Sequence, residues 1–102
     1  MYARVMHIRA RPGKLDEIAA LYRTGVAPAL QAQEGFHSTL LLTDPDSGRG
    51  LSITLWETVA ARDASGSSSR FTAQLRSVAP LLEEPPRAEN LVAHQIEAQP
   101  GR

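Results

Sequence analysis

From Leu51 to Glu57 the chain alternates strictly: Leu51, Ile53 and Leu55 fall on one side, Ser52, Thr54 and Trp56 on the other. A period of two is the mark of a β-strand with two different faces. Neither face suits water. One is aliphatic, and the other ends in the chain's single tryptophan, whose indole N–H needs a partner when buried. Such a strand requires a cover on each side.

Before and after this strand the period changes. Tyr2 to Ala10 predicts a first strand. Arg11-Pro12-Gly13 ends it, because proline removes a backbone donor and glycine permits a sharp turn. Leu15, Ile18, Tyr22, Val26 and Ala29/Leu30 follow at spacings of three and four, which predicts an amphipathic helix. Pro28 inside that pattern predicts a kink or a new turn near Val26. Glu34-Gly35 then reads as a helix end with a left-handed cap. Phe36 to Thr43 is the second expected strand, and the turn formers Asp44 to Gly50 join it to the tryptophan strand as a hairpin. Thr58 is the expected N-cap of a short helix through Ala64. Ser65 to Ser69 should be a break or mobile loop. A further helix is expected from Arg70 or Phe71, with Phe71, Leu75, Val78 and Leu82 on one side, until Pro85-Pro86 stops it. Leu91 to Glu97 reads as a last strand. Residues 1–98 are expected to form a single domain, with Gln99 to Arg102 a loose tail.

The resulting order is β-α-β-β-α-β, an α+β, ferredoxin-like arrangement. Its four-stranded antiparallel sheet carries both helices on one face. The other face has no cover within the chain, and each Leu-sized side chain left in water there forgoes ~1.5–3 kcal/mol. A like copy is the commonest partner for such a face, so the expectation is a homodimer packed sheet against sheet.

Composition narrows the chemistry. Of 102 residues, 42% are hydrophobic, and eleven basic residues balance eleven acidic ones. That leaves no net field for nucleic acid or an anionic membrane. All the basic residues but Lys14 are arginine, which reads as a compositional bias rather than a phosphate-binding surface. Cysteine is absent, excluding disulfides, thiolate catalysis and cysteine metal sites. No stretch approaches the ~18 apolar residues of a membrane span, and a cytoplasmic address is expected. His7, His37 and His94 fall on three expected strands without local ligand spacing, so no metal is expected. His7 or His94 has the chemistry of a general base for a phenol.

Several stretches resemble the antibiotic biosynthesis monooxygenase family of dimeric α+β barrels. They are Arg11-Pro-Gly-Lys14 opening the first helix, Pro28-Ala-Leu30 with Glu34-Gly-Phe36 closing it, Leu41-Leu-Thr-Asp-Pro45, and above all Leu51-Ser-Ile-Thr-Leu-Trp-Glu-Thr58. The resemblance implies that Leu51, Ile53 and Leu55 fill the dimer barrel, while Ser52, Thr54 and Trp56 face a pocket between sheet and helices. It implies oxygenation of anthrone- or quinol-like aromatics with dioxygen and no cofactor. An ionised phenol passes an electron to oxygen itself, so the protein need only bind, deprotonate and stabilise charge. Trp56, Arg76 and Ser52 are then the candidate catalytic residues. Trp56 would stack on the ring or donate its N–H, and Arg76 would hold a phenolate or peroxide anion, since a guanidinium keeps its charge at any working pH. Met6, Tyr22, Thr54, Arg62 and Phe71 are the candidate substrate-binding positions. Ser52 stands where the anthrone-oxidising members have an amide, and Arg62 where they have a tyrosine. Met6 replaces the asparagine of the haem-degrading branch, whose helical histidine has no counterpart here.

Each candidate has a plainer reading beside it. Trp56 can be a core residue, Arg76 an exposed helix arginine, and Tyr22 a core residue with its hydroxyl at the pocket edge. Two functions therefore stand. One is a cofactor-independent monooxygenase of a small electron-rich aromatic. The other is a non-catalytic dimeric barrel that binds a small hydrophobic ligand or serves a stress-related role.

Overall fold

In the computed structural model of the chain, which describes residues 1–99, strand β1 spans Tyr2–Arg9, β2 Phe36–Thr43, β3 Arg49–Trp56 and β4 Arg87–Val92. They form one antiparallel sheet in the order β2-β3-β1-β4, the ferredoxin-like arrangement expected from the periodicity. Helices α1 (Leu15–Leu21), α2 (Ala27–Gln31), α3 (Val59–Ala64) and α4 (Ser69–Val78) lie on one side of it. Among the described residues, no helix is long and apolar enough to cross a membrane.

The irregularities have local causes. Between α1 and α2 the chain widens into a π-helical turn, Tyr22–Val26, where the Ala27 N–H reaches back to the Tyr22 carbonyl. Pro28 lies just beyond with no N–H to offer, so the regular ladder cannot continue through it. The Thr24 hydroxyl donates back to the Ala20 carbonyl at 2.9 Å, a bond that further favours bending. Thr58 caps α3 by accepting from the Ala61 N–H, and Ser68 caps α4 by accepting from the Phe71 N–H. The serine run between them is a tight 3-10 turn, Ser65–Ser67, rather than a mobile loop. Ser65 is buried and donates to the Arg62 carbonyl at 2.7 Å.

The last strand departs from expectation. It begins at Arg87, directly after Pro86, and ends at Val92 instead of running from Leu91 to Glu97. The register explains this: Val92 pairs with Tyr2, the first residue of β1, so beyond it β4 has no strand left to pair with. His94 consequently lies past the sheet, not on a strand. Of the expected tail, residues 100–102 lie outside the described residues.

β3 divides its side chains as the alternation predicts. Ser52, Thr54 and Trp56 are buried against the helices. Leu51, Ile53 and Leu55 point to the open face, beside Ala3 and Val5 of β1, with Leu40 and Leu42 of β2 exposed at 57% and 45% and Leu91 of β4 at 47%. His7 shares this face and bonds Glu89 at 3.0 Å through Nε2.

Candidate functional site

Four rows of cross-strand partners floor the layer between sheet and helices. Val92, Tyr2, Trp56 and Phe36 make the first row, and Asn90, Arg4, Thr54 and Thr39 the second. Ala88, Met6, Ser52 and Leu41 make the third; Ile8, Gly50 and Thr43 make the fourth. The first row is solid. Trp56 is completely buried, with the Phe36 ring edge-on at 5.5 Å between centroids. Its indole N–H donates to the Thr54 hydroxyl at 2.9 Å, and that hydroxyl donates to the Arg4 carbonyl at 3.3 Å.

Over the third and fourth rows the layer opens. A cavity of about 240 Å³ lies between Met6 and Ile8 of β1 and the α4 residues Thr72, Leu75 and Arg76, with Tyr22, Leu82 and Pro86 also on its wall. Its wall is almost wholly apolar. The lining residues with polar side chains are Tyr22, Thr72 and Arg76, the last from an exposed position on α4. Burial pushes the Tyr22 phenol above its ordinary value of 10.0, and its hydrogen-bonding neighbour, the Ser52 hydroxyl, offsets part of that rise. At neutral pH the phenol is thus a donor. Larger hollows of about 400 and 560 Å³ lie between surface loops, at Arg11–Gly13 with Pro45–Gly48 and at Gln33–Gly35 with Glu57–Ala61.

The expected site residues therefore separate into two groups. Met6, Tyr22 and Arg76 share the cavity wall, with Ser52 behind Tyr22. Trp56 and Ser52 are four residues apart on β3, about 13 Å at strand spacing, and Trp56 lies outside the wall. Thr54 is buried and occupied by its bonds to Trp56 and Arg4. Phe71 is packed in the core. Arg62 sits at the Tyr2 end of β1, over the Tyr2 ring at 5.8 Å, bonded to Asp63 at 3.0 Å and to the Leu91 carbonyl at 3.4 Å. None of His7, His37 or His94 lines the cavity. Among the described residues, no cluster of three histidine or carboxylate side chains suits a metal ion.

Sequence reasoning missed Thr72 and Pro86. Thr72 was open to discovery, since it lies four residues before Arg76 and hence on the same helical face. Pro86 was not, because its place on the wall depends on where β4 begins.

A family model described as antibiotic biosynthesis monooxygenase matches residues 1–77. The uncharacterized protein Rv2558 of Mycobacterium tuberculosis is 42% identical over 65 residues, 64% of this chain. That match covers 28% of the relative, so the chain spans well under half of its length. The solved structure of a monooxygenase from the gene ActVA-Orf6 of Streptomyces coelicolor, in complex with nanaomycin D, is 20% identical with a TM-score of 0.77, covering 98% of this chain and 92% of that one. The cofactor-independent oxygenase SnoaB of Streptomyces nogalater, solved as a point mutant, is 16% identical with a TM-score of 0.77, covering 96% and 97%. At these identities the two structures show the shared fold.

Proposed function

Because the chain belongs to the antibiotic biosynthesis monooxygenase family, we propose that it is a cytoplasmic, cofactor-independent monooxygenase that oxidises a small electron-rich aromatic with dioxygen. The observation that supports this is the apolar cavity with Tyr22, Thr72 and Arg76 among its lining residues. An aromatic ring gains from the dry wall. Arg76, on the wall from an exposed position of α4, favours the ionised oxygen of a phenol and then the anion formed on dioxygen. The Tyr22 phenol donates to an oxygen of the ring. For a quinol the balance closes without a cofactor. One oxygen atom enters a ring C–H bond as hydroxyl, the two hydroxyl hydrogens leave with the other oxygen as water, and a hydroxyquinone remains. No carboxylate or imidazole is among the described residues on the wall, so the proton leaves to solvent at the Arg76 side.

The same reading makes the chain a homodimer, with Leu51, Ile53 and Leu55 covered by the equivalent face of a second copy. A non-catalytic barrel that binds a small hydrophobic ligand is the second reading. It draws on the internal satisfaction of Trp56, whose N–H is already used by Thr54.

Oxygen uptake with a panel of one- and two-ring quinols tests the first reading. The wild type should consume oxygen, and Arg76→Gln should lower the rate by about a hundredfold, as loss of an anion-stabilising donor does. Trp56→Phe should retain most of the rate. Uptake unaffected by Arg76→Gln would remove the site from this cavity, and binding without uptake would favour the second reading.

A further inference from the structure

Two hollows meet at one side chain. The Met6 cavity is the first. The second, about 320 Å³, lies between α1 and the edge strand β2, against Ala19, Arg23, Ala27, Thr39 and Leu41. Tyr22 is the residue common to both walls.

The register shows why. Met6, Ser52 and Leu41 are successive partners in one row beneath the helices. One cavity stands over Met6 at one end of this trio and the other over Leu41 at the opposite end. Ser52, between them, is by far the smallest of the three. Above it stands the Tyr22 phenol, beside the Ser52 hydroxyl. The aromatic ring fills the gap that the short serine leaves, and so separates two spaces that would otherwise be continuous.

The placement of Tyr22 is held from two sides. It opens the π-helical turn that Pro28 forces. The same turn contains Gly25, which packs so closely on α4 that an added Cβ would overlap the Gln74 amide. Gln74 belongs to the helix that carries Arg76, so the turn and that helix meet at this glycine.

Resting on the reading of the Met6 cavity as the ligand site, we propose that Tyr22 over Ser52 is a partition that sets the size of the substrate. It admits one- and two-ring phenols or quinols and rejects three-ring ones. A cavity of about 150 Å³ takes a single benzene ring. On that scale the 240 Å³ of the Met6 side holds two fused rings. A third ring directed further into the layer needs the Leu41 side as well, and the Tyr22 ring blocks that way. The Tyr22 ring acts by volume and its hydroxyl by hydrogen bonding, so the two contributions separate in the variants.

Calorimetric titration of wild type, Tyr22→Phe and Tyr22→Ala with 1-naphthol and with 9-phenanthrol tests this. The wild type should prefer the two-ring phenol by roughly tenfold or more, the cost of forcing excess volume into a filled site. Tyr22→Phe should keep that preference, because the ring remains. Tyr22→Ala should abolish it by joining the hollows. Should Tyr22→Ala not fold, as judged by its thermal transition, Tyr22→Leu opens part of the same gap and should at least halve the preference. Equal binding of both phenols by the wild type, or an undiminished preference in the folded small-residue variant, would overturn the partition. Absence of binding by either phenol overturns the partition and the ligand site together. Size-selective binding without oxygen uptake from any quinol overturns the oxygenase reading alone and leaves the partition standing.

Discussion

The layer between sheet and helices is solid at one end and hollow at the other, although β3 floors both. At the solid end Trp56 fills the space, Phe36 meets its ring edge-on, and the Trp56 N–H and Thr54 hydroxyl are paired in series to the Arg4 carbonyl. Toward the hollow end the same strand supplies Ser52 and Gly50, with Ile8 lying close over the glycine. Two large inward residues on β3 and its neighbour make core, whereas at the two small ones other segments take the space, Tyr22 over Ser52 and Ile8 over Gly50, and the cavity opens beside them over Met6. The difference teaches that the conspicuous aromatic is evidence of packing, and that the candidate cavity lies at the opposite end of the layer from it.

The largest expected effect comes from emptying the solid end. Trp56→Ala should destabilise the fold by about 3–5 kcal/mol in urea unfolding, the usual cost of deleting a buried tryptophan side chain. A loss within about 0.5 kcal/mol, the range of surface substitutions, would show that this end is not tightly filled. At the hollow end, adding volume should be nearly free. Met6→Phe should change stability by less than about 1 kcal/mol, where overfilling a packed site costs about 1–3 kcal/mol, and should abolish 1-naphthol binding. Retained binding would place the ligand elsewhere.

The smallest effect is one of pH. Burial raises the Tyr22 phenol, so its neutral form stabilises the fold. That contribution is fully present below the ordinary value of 10.0 and is lost as pH rises through the higher folded value. Thermal melts carried from neutral pH to beyond 10.0 should therefore fall more steeply for the wild type than for Tyr22→Phe. Parallel curves would mean that the phenol is not desolvated between the two hollows.

Much of this was legible in the chain. The alternation from Leu51 to Trp56 assigned each residue to its face, and Thr58 and Pro28 marked a cap and an irregular turn where each is found; Gly35 is left-handed as expected, but in the turn before β2, since the helix already ends at Gln31. The last strand was displaced because the apolar pair Leu91 and Val92 suggested a beginning, whereas pairing with β1 makes it an end. Of the candidate site, Met6, Tyr22 and Arg76 come together at one cavity, and Trp56 and Arg62 fall at the other end of the layer.

What the sequence by itself determined is the set of elements and the face each residue takes, because periodicity and turn chemistry act over a few residues. The register of β4, the burial of Trp56 and the cavity between Met6 and Arg76 were decided only in three dimensions. Each depends on volumes brought together from distant segments: Pro86 against Met6, Phe36 against Trp56, and Tyr22 against Ser52. No local pattern encodes a space that four separate segments must leave empty.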